Sequence, residues 1–176
     1  MDSTTCPTLT TPRLVLRQLS MDDENEIYLL RNNEKVNTYI ARPKSTTREE
    51  AGNFIKKIIE GVANHDSLYW AITLKNEGKL IGTICFWNIS EDRLVAEIGY
   101  ELSPVNQGRG IMQEALQVVL EYGFQAAGFT TIEAYTHPEN EKSSTLLEKF
   151  LFKRKEGKTE NEEIVYILRK PVIKKN

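Results

Sequence analysis

The segment Gln107-Gly108-Arg109-Gly110-Ile111-Met112-Gln113-Glu114-Ala115 stands between a strand-like run over residues 94–102 and a helix-like run ending near Ala127. Strand, glycine loop and helix in that order require a sheet that delivers the chain into the N-terminus of a helix. Such a junction suits phosphate. Glycines let the backbone approach an anion, and the unpaired N–H groups of the first helical turn point at it. The spacing is neither G-x-x-x-x-G-K-[ST] nor G-x-G-x-x-G, which excludes a P-loop and a dinucleotide fingerprint. A phosphate-bearing ligand is therefore expected by a third route.

The rest of the chain reads as one α/β domain over residues 1–176, with its folded core at about 9–171. Residues 13–19 form a first strand, and Ser20 caps a helix that begins with Asp22, Asp23 and Glu24 and runs to about Asn32. Thr47 and Glu50 make a capping box, followed by Ala51, Phe54, Ile55, Ile58, Ile59 and Val62 at helical spacing. Strands over 68–74 and 79–87 flank a turn at 75–78, and the strand over 94–102 follows a second polar turn. The helix from about Gly110 carries Gln113, Gln117, Glu121 and Gln125 as a polar stripe and ends at Gly128. A strand over 131–136, a short helix within 138–150 and a hairpin of 152–156 with 164–170 complete a mixed sheet with helices on both faces.

Composition narrows the function classes. Hydrophobic residues are 40% and charged residues 27%, as in ordinary globular proteins. A net charge of −2 gives no footprint for direct nucleic-acid binding. No apolar run approaches a membrane span and residues 1–5 are polar, so no membrane or signal segment is expected and the expected compartment is the cytoplasm. Cys6 and Cys85 have no metal-type spacing, and neither a metal nor a disulfide framework is expected.

In this order the segments resemble the GNAT superfamily of acyl-CoA N-acyltransferases, within it the branch similar to the ribosomal-protein N-terminal acetyltransferases RimJ and RimL. Thr11-Pro12-Arg13-Leu14-Val15-Leu16-Arg17 resembles the opening strand of that branch. Gly82-Thr83-Ile84 and Ala96-Glu97-Ile98-Gly99-Tyr100-Glu101-Leu102 resemble its third and fourth strands, and Gln107 to Ala115 its pyrophosphate loop. Asn140-Glu141-Lys142-Ser143, with Leu147-Glu148-Lys149 and Phe152, resembles its later helix. Two positions depart from the pattern. Met112 replaces a Gly or Ala of the wider superfamily, and Leu151 replaces the glycine that precedes the closing Phe, so a different helix end is expected there.

The resemblance implies a twisted, mostly antiparallel sheet of about seven strands, splayed between the fourth and fifth. It implies acetyl-CoA as cosubstrate, an amine acceptor (a protein N-terminus or a small molecule), and direct attack in a ternary complex. Homodimers are common in the family, so a second copy is a candidate partner. The backbone N–H groups of Gly108, Arg109, Gly110, Ile111 and Met112, flanked by Gln107, are the implied pyrophosphate contacts. A backbone donor for the oxyanion is expected around Tyr100, Glu101 and Leu102. Asn140 corresponds to an asparagine that binds the pantetheine arm.

Glu97 is the candidate general base. Its apolar neighbours Val95, Ala96 and Ile98 favour a raised pKa, but an outward glutamate on a polar strand face beside Glu101 fits equally. No tyrosine lies between Tyr135 and Tyr166, which leaves the usual family proton donor vacant and points to Ser143 for the leaving thiolate. For Asn140 and Ser143 the bland alternatives are an ordinary N-cap and a solvent-facing serine.

The remaining candidates read more plainly. His137 is a loop residue near the splay, His65 is exposed, and Cys85 is a packed thiol. Asp22, Asp23, Glu24 and Glu26 serve either an amine or the helix dipole. Tyr39 and Trp87 read first as core and second as acceptor-pocket residues. A CoA-binding sensor without turnover remains a second function class. A phosphotransferase is third, lacking a P-loop lysine.

Overall fold

The computed structural model describes residues 6–157 and 159–171. One sheet runs in the order β1-β2-β3-β4-β5-β6-β8-β7. Its strands are β1 (Leu9–Thr10), β2 (Leu14–Gln18), β3 (Leu68–Leu74), β4 (Leu80–Trp87), β5 (Val95–Leu102), β6 (Thr131–Thr136), β7 (Lys153–Arg154) and β8 (Ile164–Arg169). Neighbours are antiparallel except β5 and β6, which are parallel. The helices are α1 (Glu24–Asn32), α2 (Glu34–Asn37), α3 (Arg48–Ala63), α4 (Ile111–Gln125) and α5 (Glu141–Lys149). The fold is the mixed, mostly antiparallel α/β sheet expected, with one strand more. β1 is two residues long and exists by pairing with Val15 and Leu16, so it has no periodicity of its own to read.

Strand alternation sends alternate residues to two cores. Leu14, Leu16, Trp70, Ile72, Ile84, Phe86, Ala96 and Ile98 pack against α4 and α5 through Ile111, Leu116, Val119, Phe124 and Leu147. Gly123 of α4 lies so close to the sheet that a Cβ there would stand 2.8 Å from the Phe86 ring. Tyr69 and Ala71 face the other way, against Ile27 and Leu30 of α1 and Ala51 and Ile55 of α3. The Thr47–Glu50 capping box forms as read, with the Glu50 N–H donating to Thr47 Oγ1 at 3.2 Å and the Thr47 N–H to Glu50 Oε2 at 3.1 Å.

Two of the acidic residues at the start of α1 serve the fold. Asp23 is buried, pairs with Arg17 at 2.7 Å and accepts the Ser20 N–H, while Glu26 pairs with Lys79. The loop between α2 and α3 is pinned to the sheet by Arg42, whose Nη2 lies 2.6 Å from Glu101 Oε2 with both side chains largely buried. Arg31, over the Phe54 ring, holds the same loop through Ser45.

The different helix end expected at Leu151 does not occur. Leu151 adopts the left-handed conformation itself, φ 66°, and the Phe152 N–H returns to the Leu147 carbonyl at 3.1 Å. Hydrogen bonds over the helix end enforce the glycine geometry on a leucine.

Candidate active site

The parallel seam is short. β5 pairs with β6 only at Val95–Thr131, Ala96–Ile132 and Glu97–Glu133. Beyond Glu97, β5 stays bonded to β4 as far as Leu102, and β6 stays bonded to β8 as far as Thr136. The facing edges from Ile98 and from Ala134 onward are unpaired with each other, so backbone donors and acceptors line an open wedge. This is the expected splay.

Beyond the wedge, β5 leads into the glycine loop. Gly108 and Gly110 both have left-handed φ, 73° and 72°, which a side chain would disfavour. Gly110 is the N-cap of α4 and offers no side chain, so the first-turn N–H groups of the helix have no side-chain cap. Successive N–H groups in such a turn form a concave anion nest, reinforced by the helix dipole. Gln107 donates to the Leu102 carbonyl at 3.0 Å, Arg109 is exposed and leans on Asn106 Oδ1, and Lys142 of α5 reaches Gln107. Ile111 is buried and Met112 packs on the core, so both present only backbone to the nest.

Asn140 is the N-cap of α5, its Oδ1 accepting the Ser143 N–H at 3.2 Å. Ser143 Oγ lies 2.8 Å from the phenol oxygen of Tyr100. Nothing local in the chain hints at this pairing, because it joins a strand to a helix 43 residues away.

Glu97 and Glu101 share the opposite face but not a role. Glu101 is locked to Arg42, and its side chain is part of the loop anchor. Glu97 is half-buried and accepts Asn88 Nδ2 at 2.9 Å. Burial pushes its carboxyl above the ordinary range, the Asn88 hydrogen bond opposes this, and Glu163 and Glu133 add to the rise. Around it lie Trp87, 46% exposed, and Tyr135, 37% exposed, over the part of the sheet that α1 and α3 do not cover. Trp87 is thus not core. Neither is Tyr39, which stacks on His137 with ring centroids 5.3 Å apart and joins the α2–α3 loop to the loop after β6. His65 is exposed as read, and burial raises the Cys85 thiol to about 12, so it is no ready nucleophile.

A groove of about 530 Å³ between β1–β2 and α4 lies outside the wedge, and its Glu114 is engaged by Arg13 and Thr11.

The sequence pattern of the acetyltransferase (GNAT) domain matches residues 13–153. The chain belongs to this family. The uncharacterized N-acetyltransferase YoaA of Bacillus subtilis (strain 168) is 34% identical over 151 residues, covering 86% of this chain and 85% of that protein. The crystal structure of a GNAT-family acetyltransferase from Bacillus anthracis superposes with a TM-score of 0.79 at 26% identity, over 93% of this chain and 98% of that one. The ribosomal-protein-S5-alanine acetyltransferase from Vibrio fischeri has the same fold, with a TM-score of 0.81 at 24% identity over 93% and 96% of the two chains. The protein is a GNAT N-acetyltransferase, and enzymes of this family use acetyl-CoA. The fit is physical: a nest for phosphates opens onto a wedge whose free strand edges match the amides of an extended arm.

Proposed function

We propose that this acetyltransferase moves an acetyl group from acetyl-CoA to the α-amine of a peptide or protein, by direct attack in a ternary complex. The observation that carries the reading is the unpaired seam, which runs from the Gly108–Gly110 nest to Glu97. The N–H groups of residues 108–112 hold the pyrophosphate. The β5 edge from Tyr100 to Leu102, with the Asn140 amide, holds the arm and supplies the oxyanion donor. By strand alternation Glu97 and Tyr100 lie on opposite faces of the seam. The amine therefore meets its base on one side while the sulfur departs toward Ser143 on the other.

The choice of acceptor rests on the resemblance to the RimJ and RimL branch, and proton chemistry is consistent with it. About a tenth of an α-amine is neutral at pH 7, against fewer than about one in a thousand lysine side chains. A single partly shielded carboxylate suits the first task better. The Vibrio fischeri structural neighbour acts on a ribosomal-protein alanine, which supports the same class.

The test is a thiol-release screen with acetyl-CoA over peptides, polyamines and aminoglycosides. Peptides with free N-termini should turn over fastest. Faster turnover of polyamines or aminoglycosides would replace the acceptor, and tight CoA binding without release would make the protein a sensor. Glu97→Gln should lower kcat/KM by about 100-fold and remove the acidic limb of the pH profile. An unchanged limb would remove Glu97 from the role. Gly110→Trp should abolish CoA binding in calorimetry, and retained affinity would sink the nest assignment.

A further inference from the structure

Two hydroxyls meet beside the wedge, on the α4–α5 face of the sheet. Tyr100 projects from β5 at the stretch that β6 no longer pairs, and its ring packs on the core below α4. Ser143 is fixed by its own N–H, donated to Asn140, and its Oγ stands 2.8 Å from the Tyr100 phenol oxygen. One contact thus ties β5 to α5 across the gap.

The direction of that hydrogen bond decides what Ser143 can do. A serine hydroxyl has one proton and two acceptor sites. If Ser143 donated to Tyr100, its only proton would be spent. A phenol is the more acidic of the two hydroxyls, hence the better donor, and burial raises Tyr100 to about 12, which keeps it protonated at working pH. With Tyr100 donating, Ser143 Oγ is satisfied as an acceptor and its own proton is free to turn into the wedge. Hydrogen bonds in such a chain polarise one another, so the serine becomes the stronger donor.

We infer that Tyr100 is a positioning residue whose phenol donates to Ser143 Oγ and thereby aims the Ser143 proton at the thioester sulfur. This rests on the acetyl-CoA reading of the wedge. The amine nitrogen forms its bond to the carbonyl carbon, the C–S bond breaks, and the electron pair stays on sulfur. Ser143 donates a hydrogen bond to that sulfur, and no proton has to cross the Tyr100–Ser143 pair. The proton given up by the amine to Glu97 and then to water balances the one the thiol finally carries. A thiol of ordinary pKa, about 8.5, needs no more than a good hydrogen bond to leave. The tyrosine absent from the segment after β6 is supplied from β5 instead, one residue removed from the sulfur.

The test needs no acceptor. CoA is bound to the wild type, Tyr100→Phe, Ser143→Ala and the double variant, and the ultraviolet absorbance of its thiolate is followed against pH. Tyr100→Phe should raise the bound thiol pKa by about half a unit or more. Ser143→Ala should raise it at least as far, and the double variant no further than Ser143→Ala alone, because Tyr100 acts only through Ser143. Binding of desulfo-CoA should be the same in all four. If CoA binds but Tyr100→Phe leaves the pKa at the wild-type value, the inference falls while the CoA site stands. A double variant shifted beyond Ser143→Ala would also overturn it, since the phenol would then act on sulfur directly. If the wild type binds no CoA, the site itself falls, and the inference with it.

Discussion

Leu151 shows what a single residue concedes to the hydrogen bonds around it. A left-handed φ costs a residue with a Cβ roughly 1–2 kcal/mol, and this side chain is 69% exposed, so packing returns little. Leu151→Gly should raise stability by about 0.5–1 kcal/mol after the larger unfolded-state entropy of glycine is counted. Urea unfolding would show it, and a lower midpoint would mean the leucine packs against something. Glu97 makes the opposite concession, to chemistry. Its pKa is raised in the folded state, so its contribution to stability is fully present below the unfolded value of about 4.3 and is lost as pH rises through the folded value. At neutral pH the carboxylate is therefore a liability. Glu97→Gln should raise Tm at pH 7 while lowering activity, with the Tm difference shrinking as the pH falls below the carboxylate range. An unchanged Tm at pH 7 would mean that Asn88 fully offsets the burial.

Among the elements, the α2–α3 loop is anchored by a buried ion pair as well as by the Arg31–Ser45 hydrogen bond. Arg42→Met would leave buried Glu101 without its cation, with only the Thr83 hydroxyl as partner among the described residues, at a cost of about 3–5 kcal/mol, whereas changing both residues to Met should cost much less. Comparing the two by chemical denaturation checks this, and equal losses would show that Arg42 matters for packing rather than charge. This anchor was not legible in the sequence. Arg42 reads as a polar loop residue and Glu101 as an alternating strand residue, and nothing local joins them. The same holds for Tyr100 with Ser143 and for Tyr39 with His137. What could be read was local: the Thr47–Glu50 cap, the turn ending at Gly78 and the Gly108–Gly110 nest, where a few adjacent residues fix their own backbone. Periodicity also locates the six strands long enough to alternate, while β7 is legible only as half of a closing hairpin with β8, and β1 not at all.

At the scale of the whole molecule, three residue pairs join β5 to β6, and everything past them waits for a third strand-like partner. CoA should supply it. Amides over residues 98–102 and 134–136 should gain hydrogen-exchange protection on CoA binding, with stability rising by about 2.7 kcal/mol at 100 times Kd. Protection confined to the glycine loop would mean that the arm does not use the wedge. The seam itself could be expected from the resemblance of residues 96–102 and 107–115 to the family, though no periodicity marks where pairing stops.

The division of the chain around that seam has a consequence for descent. In the proposed site, Trp87 and the Tyr39–Arg42 loop on the Glu97 side precede β5, and the proposed donor nest follows it. Mutations that drift in the first segment can alter which amines gain entry without disturbing the second. A lineage built this way can keep its reagent and change its clients.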